Sequence, residues 1–179
     1  METSITVQLL GILTLIIFVV SLQQRKKEAY LLIQTFGTLL FIVQYILTGK
    51  YTGAVTFTVV AIRGLVFYYY KKKGKKPSVA VLVAFLSAIV VSTVLTWQNI
   101  LSIIPFIATA SKTWGTWQDG MKTIRRVSLL SQGIMIVYNM AAGMYTGALT
   151  EVCNLASTAV AIWRYDRNKR GKDPAPDDG

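Results

Sequence analysis

An all-α membrane protein with seven transmembrane helices is what this sequence predicts, and three observations predict it. Of 179 residues, 53% are hydrophobic and 15% are charged, whereas an ordinary soluble domain carries about 25% charged residues. Too few charges remain to coat a soluble core. Apolar windows of about 20 residues, the length needed to cross a hydrocarbon layer about 30 Å thick, recur along the chain. Finally, the basic residues gather at alternate ends of those windows, as the positive-inside rule requires of a multi-span chain.

The windows set the spans in order. Span 1 runs from Ile5 to Leu22, span 2 from Tyr30 to Thr48, span 3 from Thr52 to Tyr70 and span 4 from Ser78 to Thr96. Span 5, Asn99 to Ser111, is short and holds Pro105; span 6 covers Val127 to Ala142 and span 7 Thr146 to Tyr165. Glu2 and no positive charge precede span 1, and Arg25, Lys26 and Lys27 follow it. That order suits a retained helix better than a cleaved signal peptide. Further clusters follow spans 3, 5 and 7, so 17 of the 19 basic residues share one face, with Lys50 opposite and Arg63 inside span 3. The N-terminus is therefore expected outside and the C-terminus in the cytoplasm. Aromatic belts are expected at the boundaries, with Tyr51, Trp97 and Tyr145 at the outer one. Tyr30, Trp114, Trp117, Trp163 and Tyr165 fall at the inner one.

An internal repeat organises the spans. Gly49 to Thr56 (GKYTGAVT) matches Gly143 to Thr150 (GMYTGALT) at a spacing of 94, with six of eight positions identical. Both copies fall where one span turns into the next, so the repeat unit is three helices. Two such units share an orientation only if an odd helix separates them, which makes span 4 a linker. The expected plan is 3+1+3: two parallel three-helix repeats at 1–74 and 98–170, a linker helix at 75–97 and a disordered cytoplasmic tail at 171–179.

The runs QTFGTLLFIVQYILTGKYTGA and AIRGLVFYYYKK, together with LTEVCNLASTAVAIWRYD, resemble the bacterial inner-membrane YgjV family over nearly all of the chain before the tail. More distantly, the 3+1+3 plan is similar to PnuC-like vitamin transporters and SWEET sugar transporters. The first resemblance implies an architecture and a bacterial inner-membrane location rather than a substrate. SWEET-type pockets take an Asn from the third helix of each repeat; Asn154 stands at such a place, but its mate at spacing 94 is Val60. A symmetric sugar clamp is not expected.

Chemistry is restricted by what is missing. No His occurs, and the single Cys, Cys153, excludes a disulfide framework and Cys/His zinc sites. No Gly-rich phosphate loop and no pair of embedded carboxylates is present, so an enzyme is not expected and no cofactor is implied. Among embedded residues, Glu151 lies about 7 to 8 Å into span 7 and Arg63 about 16 to 17 Å into span 3 at 1.5 Å per residue. Ionisable groups at such depth are expensive and face the interior or a partner. Three readings stay open: a structural Glu151–Arg63 ion pair, a substrate or proton site, or one of the two reaching an interface. Asn154 shares a helical face with Glu151, Thr150 and Thr158. Asn139, Gln44, Gln34 and Gln132 are also embedded, where hydrogen bonding between helices is the ordinary role. Tyr45 and Tyr138 could stack on a flat solute or simply line the bundle.

The function expected is a membrane transporter, a facilitator, for a small polar or vitamin-like solute bound near the midplane between the repeats. Its candidate site comprises Arg63, Glu151, Asn154, Asn139, Gln44, Tyr45 and Tyr138. The alternative is a non-transporting scaffold in which Glu151 and Arg63 pair structurally. The basic clusters, all at helix ends, suit anionic lipid headgroups rather than nucleic acid, and a homo-oligomer is compatible with the sequence.

Overall fold

Long apolar runs without an interior proline have one cheap way to satisfy their backbone in lipid, and that is the α-helix. The computed structural model describes residues 5–49, 51–95, 97, 100–141, 143 and 145–166, without the side chains of 51–53, 56 and 146. Its helices are α1 (Ile5–Leu22), α2 (Lys27–Leu47), α3 (Tyr51–Lys72), α4 (Val79–Leu95), α5 (Ile103–Trp117), α6 (Met121–Ala141) and α7 (Tyr145–Ala161). A 3-10 turn, Ile100–Ser102, leads into α5, and a π-helical turn, Ile162–Asp166, ends α7. No strand occurs among the described residues. The expected tail at 171–179, together with Lys50, lies outside them.

The helices pack in chain order, each on the next, and α7 closes on α1 to complete a ring. Polarity across the ring is inverted relative to a soluble protein. Among the described residues, 16 of the 28 buried side chains are polar or charged, while 37 large apolar ones are exposed. Such an exterior is stable only against hydrocarbon. By length and composition α1 and α2 can each cross a bilayer, and α4 is a shorter apolar helix.

Several helix ends differ from the expected ones. α2 begins at Lys27 rather than Tyr30, and α6 at Met121 rather than Val127. Each has 21 residues, about 31 Å at 1.5 Å per residue, so charged first turns extend past the apolar stretch. α5 continues to Trp117 rather than stopping at Ser111; Pro105 sits in its first turn, where the missing N–H has no helical partner to lose. Lys112 is therefore part of a helix rather than of a basic loop. Tyr30 is fully buried instead of interfacial, and Trp117 donates its indole N–H to Pro77 O at 2.9 Å.

Two structural coincidences accompany the sequence repeat. α2 and α6 start and end 94 residues apart, and so do α3 and the segment formed by α7 with its π turn. Gly49 (φ 70) and Gly143 (φ 69) take the same left-handed conformation at the corresponding turns, a region open to glycine at little cost.

The basic end is tied together by two buried cations that the positive-inside pattern had assigned to loops. Lys27 Nζ donates to Gln118 O at 2.6 Å, joining the α1–α2 turn to the α5–α6 turn. Arg125 donates to Asp166 Oδ1 at 2.8 Å, Gln24 O at 2.7 Å and Leu22 O at 3.5 Å, with the Tyr165 ring 5.0 Å away. One guanidinium thus joins α6 to the C-terminal ends of α1 and α7. Below these ties Leu22, Tyr30, Leu31, Phe67 and Ile124 form the apolar core.

Two outcomes follow for stability. Removing one partner of a buried, hydrogen-bonded ion pair costs about 3 to 5 kcal/mol, so Arg125→Gln should lower the melting temperature in detergent sharply. In the double variant with Asp166→Asn the loss should be smaller than the sum of the single losses. At the α2–α3 contact a Cβ on Gly64 would collide with Thr35 Oγ1, whereas one on Gly133 would meet nothing within 4 Å. Overpacking costs about 1 to 3 kcal/mol; thermal unfolding should show Gly64→Ala destabilised, rescued by Thr35→Ala, and Gly133→Ala unharmed.

Candidate functional site

Helical spacing aims one stripe of each of six helices at the centre of the ring. α2 presents Tyr30, Gln34, Thr38 and Phe41, and α6 presents Ser128, Gln132 and Met135. On α3 the stripe is Phe57, Val60 and Arg63; on α7 it is Thr150, Glu151 and Asn154. α1 adds Phe18, Ser21 and Leu22, and α5 adds Ala108, Thr109 and Lys112, enclosing a cavity of about 210 Å³. No residue of α4 lines it.

Six pairs of lining residues stand 94 apart. They are Phe18 and Lys112, Gln34 and Ser128, Thr38 and Gln132, Phe41 and Met135, Phe57 and Glu151, Val60 and Asn154. Corresponding positions of the two three-helix segments therefore face the same space, with different chemistry.

Three charged side chains contribute to the lining: Arg63, Lys112 and Glu151. Arg63 is buried and donates through Nη1 to Thr113 Oγ1, whose own hydroxyl donates to Thr109 O at 2.8 Å. Its Nε has no partner, and neither has Glu151 Oε2 nor Asn154 Oδ1. The Tyr30 hydroxyl lies beside Arg63, within reach of Gln34 and Ser128. Thr158 Oγ1 sits 3.0 Å from Gln132 Oε1 and 2.8 Å from Asn154 O, which holds α6 against α7 behind the cavity. Among the described residues no group of three or more His, Cys, Asp and Glu could hold a metal.

The ion pair considered between Glu151 and Arg63 is not formed: the salt bridges among the described residues join Lys27, Lys71 and Arg125 to Asp119 or Asp166. The reason is depth. Arg63 is level in the repeat with Ser157, six residues beyond Glu151, which is about 9 Å along the axis, and Thr113 on α5 stands closer. Of the seven expected site residues, the cavity gathers Arg63, Glu151 and Asn154. Tyr138 lines a second cavity of about 230 Å³ between α3, α4, α5 and α6, which shares the wall residues Val60 and Thr109. Asn139 packs on Gly147, Gln44 donates to Val7 O at 3.3 Å, and Tyr45 stacks on Phe57 at 5.2 Å. These three join helices rather than line the cavity.

Lys112, Thr109, Tyr30 and the phenylalanines are lining residues that motif reasoning passed over. The repeat spacing could have found Lys112, since adding 94 to Phe18 gives it, but only once Phe18 is known to face inward. Leu22 and Tyr30 belong both to the cavity lining and to the apolar core, on whose far side Met121 opens onto a vestibule of about 1110 Å³. That vestibule is lined by Arg25, Lys26, Lys27, Lys71, Lys122, Arg125 and Arg164 with three acidic residues.

Arg63 sets a sharp expectation. Thr113→Val leaves a buried guanidinium short of an acceptor, a loss of about 1 to 3 kcal/mol. Thr113→Ser keeps the acceptor and loses only a buried methyl, a cost of about 0.8 kcal/mol, so in thermal unfolding it should be the milder of the two variants.

No curated protein and no solved structure matches the chain, so the more distant likeness to PnuC-like and SWEET transporters finds no counterpart there. The model of a family described as bacterial inner membrane protein, Imp-YgjV, matches residues 5–169. With nearly the whole chain matched and an exterior that only lipid can cover, this protein belongs to the Imp-YgjV family of bacterial inner membrane proteins.

Proposed function

We propose that the protein is a transporter, a facilitator for a small polar or vitamin-like solute, which binds in the central cavity between two parallel three-helix repeats. The observation that carries this reading is the pairing of cavity residues at the repeat spacing. Six positions of the first segment and their mates in the second face one space, as in transporters whose site lies between two halves. In this plan α1 to α3 and α5 to α7 are the repeats and α4 is the linker, which agrees with its absence from the cavity lining. The basic end faces the cytoplasm and anionic headgroups, with the N-terminus outside.

Unpartnered polar atoms support a ligand over a scaffold. A buried polar group without a partner costs about 1 to 3 kcal/mol, and Arg63 Nε, Glu151 Oε2 and Asn154 Oδ1 all lie on residues that line this cavity. The scaffold reading needs the Glu151–Arg63 pair, which the geometry does not supply.

The test is a thermal-shift panel of vitamins, nucleosides, sugars, amino acids and carboxylates on protein in mild detergent, followed by uptake of each hit into proteoliposomes. A solute at about 100 times its Kd adds about 2.7 kcal/mol to the folded state. The expected result is at least one hit that is taken up by wild-type vesicles and not by Glu151→Gln or Arg63→Gln vesicles. A panel without hits, or hits that are never taken up, would overturn the transporter reading.

A further inference from the structure

Three of the six pairs across the cavity are apolar in the first segment and polar in the second. Phe18, Phe41 and Phe57 come from the first segment, and their mates at spacing 94 are Lys112, Met135 and Glu151; Val60 is matched by Asn154. The phenylalanines form one continuous surface, with ring centroids 5.8 Å apart for Phe18 and Phe41 and 5.1 Å for Phe41 and Phe57. Tyr45 backs that surface from behind, 5.6 Å from Phe41 and 5.2 Å from Phe57. Since the helices follow one another around the ring, the first segment makes one wall of the cavity and the second the other. The first wall carries the three phenylalanine rings beside the polar Tyr30, Gln34 and Thr38, and the second carries Lys112, Glu151 and Asn154. Arg63 stands at the seam, held on α5 by Thr113.

Resting on the transporter reading, we infer that the solute is an amino-acid-sized zwitterion with an aromatic or bulky apolar side group. The three phenylalanine rings offer no hydrogen bond and gain from covering a ring or branched chain, by area burial and by offset or edge-on ring contact. A sugar, polar all round, would be stripped of water there without replacement. The opposite wall and seam hold two cations and one anion, none of them in a salt bridge among the described residues. A carboxylate would take the unpartnered Arg63 Nε and the Lys112 ammonium. An ammonium would take Glu151 Oε2 and Asn154 Oδ1, both acceptors without a donor. Only a solute carrying both charges satisfies both sets, and the net single positive charge of the three groups disfavours a purely cationic one. A cavity of about 210 Å³ accommodates a solute of this size.

The full chain in nanodiscs, with tritiated phenylalanine as probe, provides the test. Phenethylamine lacks the carboxylate, 3-phenylpropionate lacks the ammonium and alanine lacks the ring; each should compete about ten- to a hundredfold more weakly than phenylalanine. Glu151→Gln should weaken phenylalanine and phenethylamine by a similar factor and leave 3-phenylpropionate unchanged, while Lys112→Gln should weaken phenylalanine and 3-phenylpropionate and leave phenethylamine unchanged. The series on the wild-type protein stands by itself if either variant fails to fold. Competition by any truncated compound as strong as that of phenylalanine overturns the zwitterion assignment. Uptake and binding of a sugar, nucleoside or vitamin with no binding of phenylalanine also overturns it, and leaves the transporter reading standing. No binding and no uptake of any solute removes both.

Discussion

In a hydrocarbon surround, a polar group has no water to fall back on and must find its partner inside the bundle. Much of this structure follows from that single constraint. The threonines meet it locally: Thr14, Thr38, Thr58, Thr93, Thr116 and Thr158 each donate to the carbonyl four residues earlier. A hydroxyl satisfied within its own helix can occupy the interior without dictating its neighbours. Longer polar side chains must reach across, and where they do they set which helices touch. Gln23 donates to Ser157, whose hydroxyl donates to Val19 O, and this closes the ring between α1 and α7. Ser131 does the same between α6 and α5 through Ala108 O.

Few buried polar atoms then lack a partner, and their distribution carries the functional reading. Among the described residues there are five: Arg63 Nε, Glu151 Oε2, Asn154 Oδ1, Gln44 Oε1 and Asp166 Oδ2. Three lie on residues lining one small cavity. Asp166 already accepts from Arg125 through its other oxygen, and the Gln44 amide nitrogen already donates to Val7 O. A bundle that solves its polar problem almost everywhere and leaves three unpartnered groups on residues around one shared space is what the proposed solute site requires.

Much of this was legible in the sequence, and what was not has physical causes. Apolar windows found every helix, because lipid imposes a minimum length that chance rarely supplies. Their ends were misjudged where charge was read as loop: Lys112, Lys122, Arg125 and Arg126 marked the segment after span 5 as cytoplasmic, yet α5 runs to Trp117 and α6 starts at Met121. Hydropathy cannot tell a lysine beyond the membrane from one inside a ring of helices. Arg125 illustrates the same limit, since only the folded chain brings Leu22 O, Gln24 O and Asp166 around it. Arg63, Glu151 and Asn154 were legible because a charged or amide group in an apolar window is conspicuous. The phenylalanines facing them were not, since an inward Phe and a lipid-facing Phe look alike along the chain.

The duplication explains why those phenylalanines matter. Two segments in one register place equivalent positions at equivalent depths, so the backbone alone would give a cavity with two similar walls. A symmetric cavity suits a symmetric ligand, or one indifferent to which way it lies. On the proposed two-repeat plan the side chains break the symmetry that the backbone would keep: Phe57 and its counterpart Glu151, and Phe18 and its counterpart Lys112, line the same space. An apolar group turned towards Lys112 and Glu151 would strand two charges. A charged group turned towards Phe18, Phe41 and Phe57 would lose its hydration for nothing. Both errors cost more than ordinary thermal energy, so a solute bound as proposed would have one orientation, with its polar end on the side of the second segment.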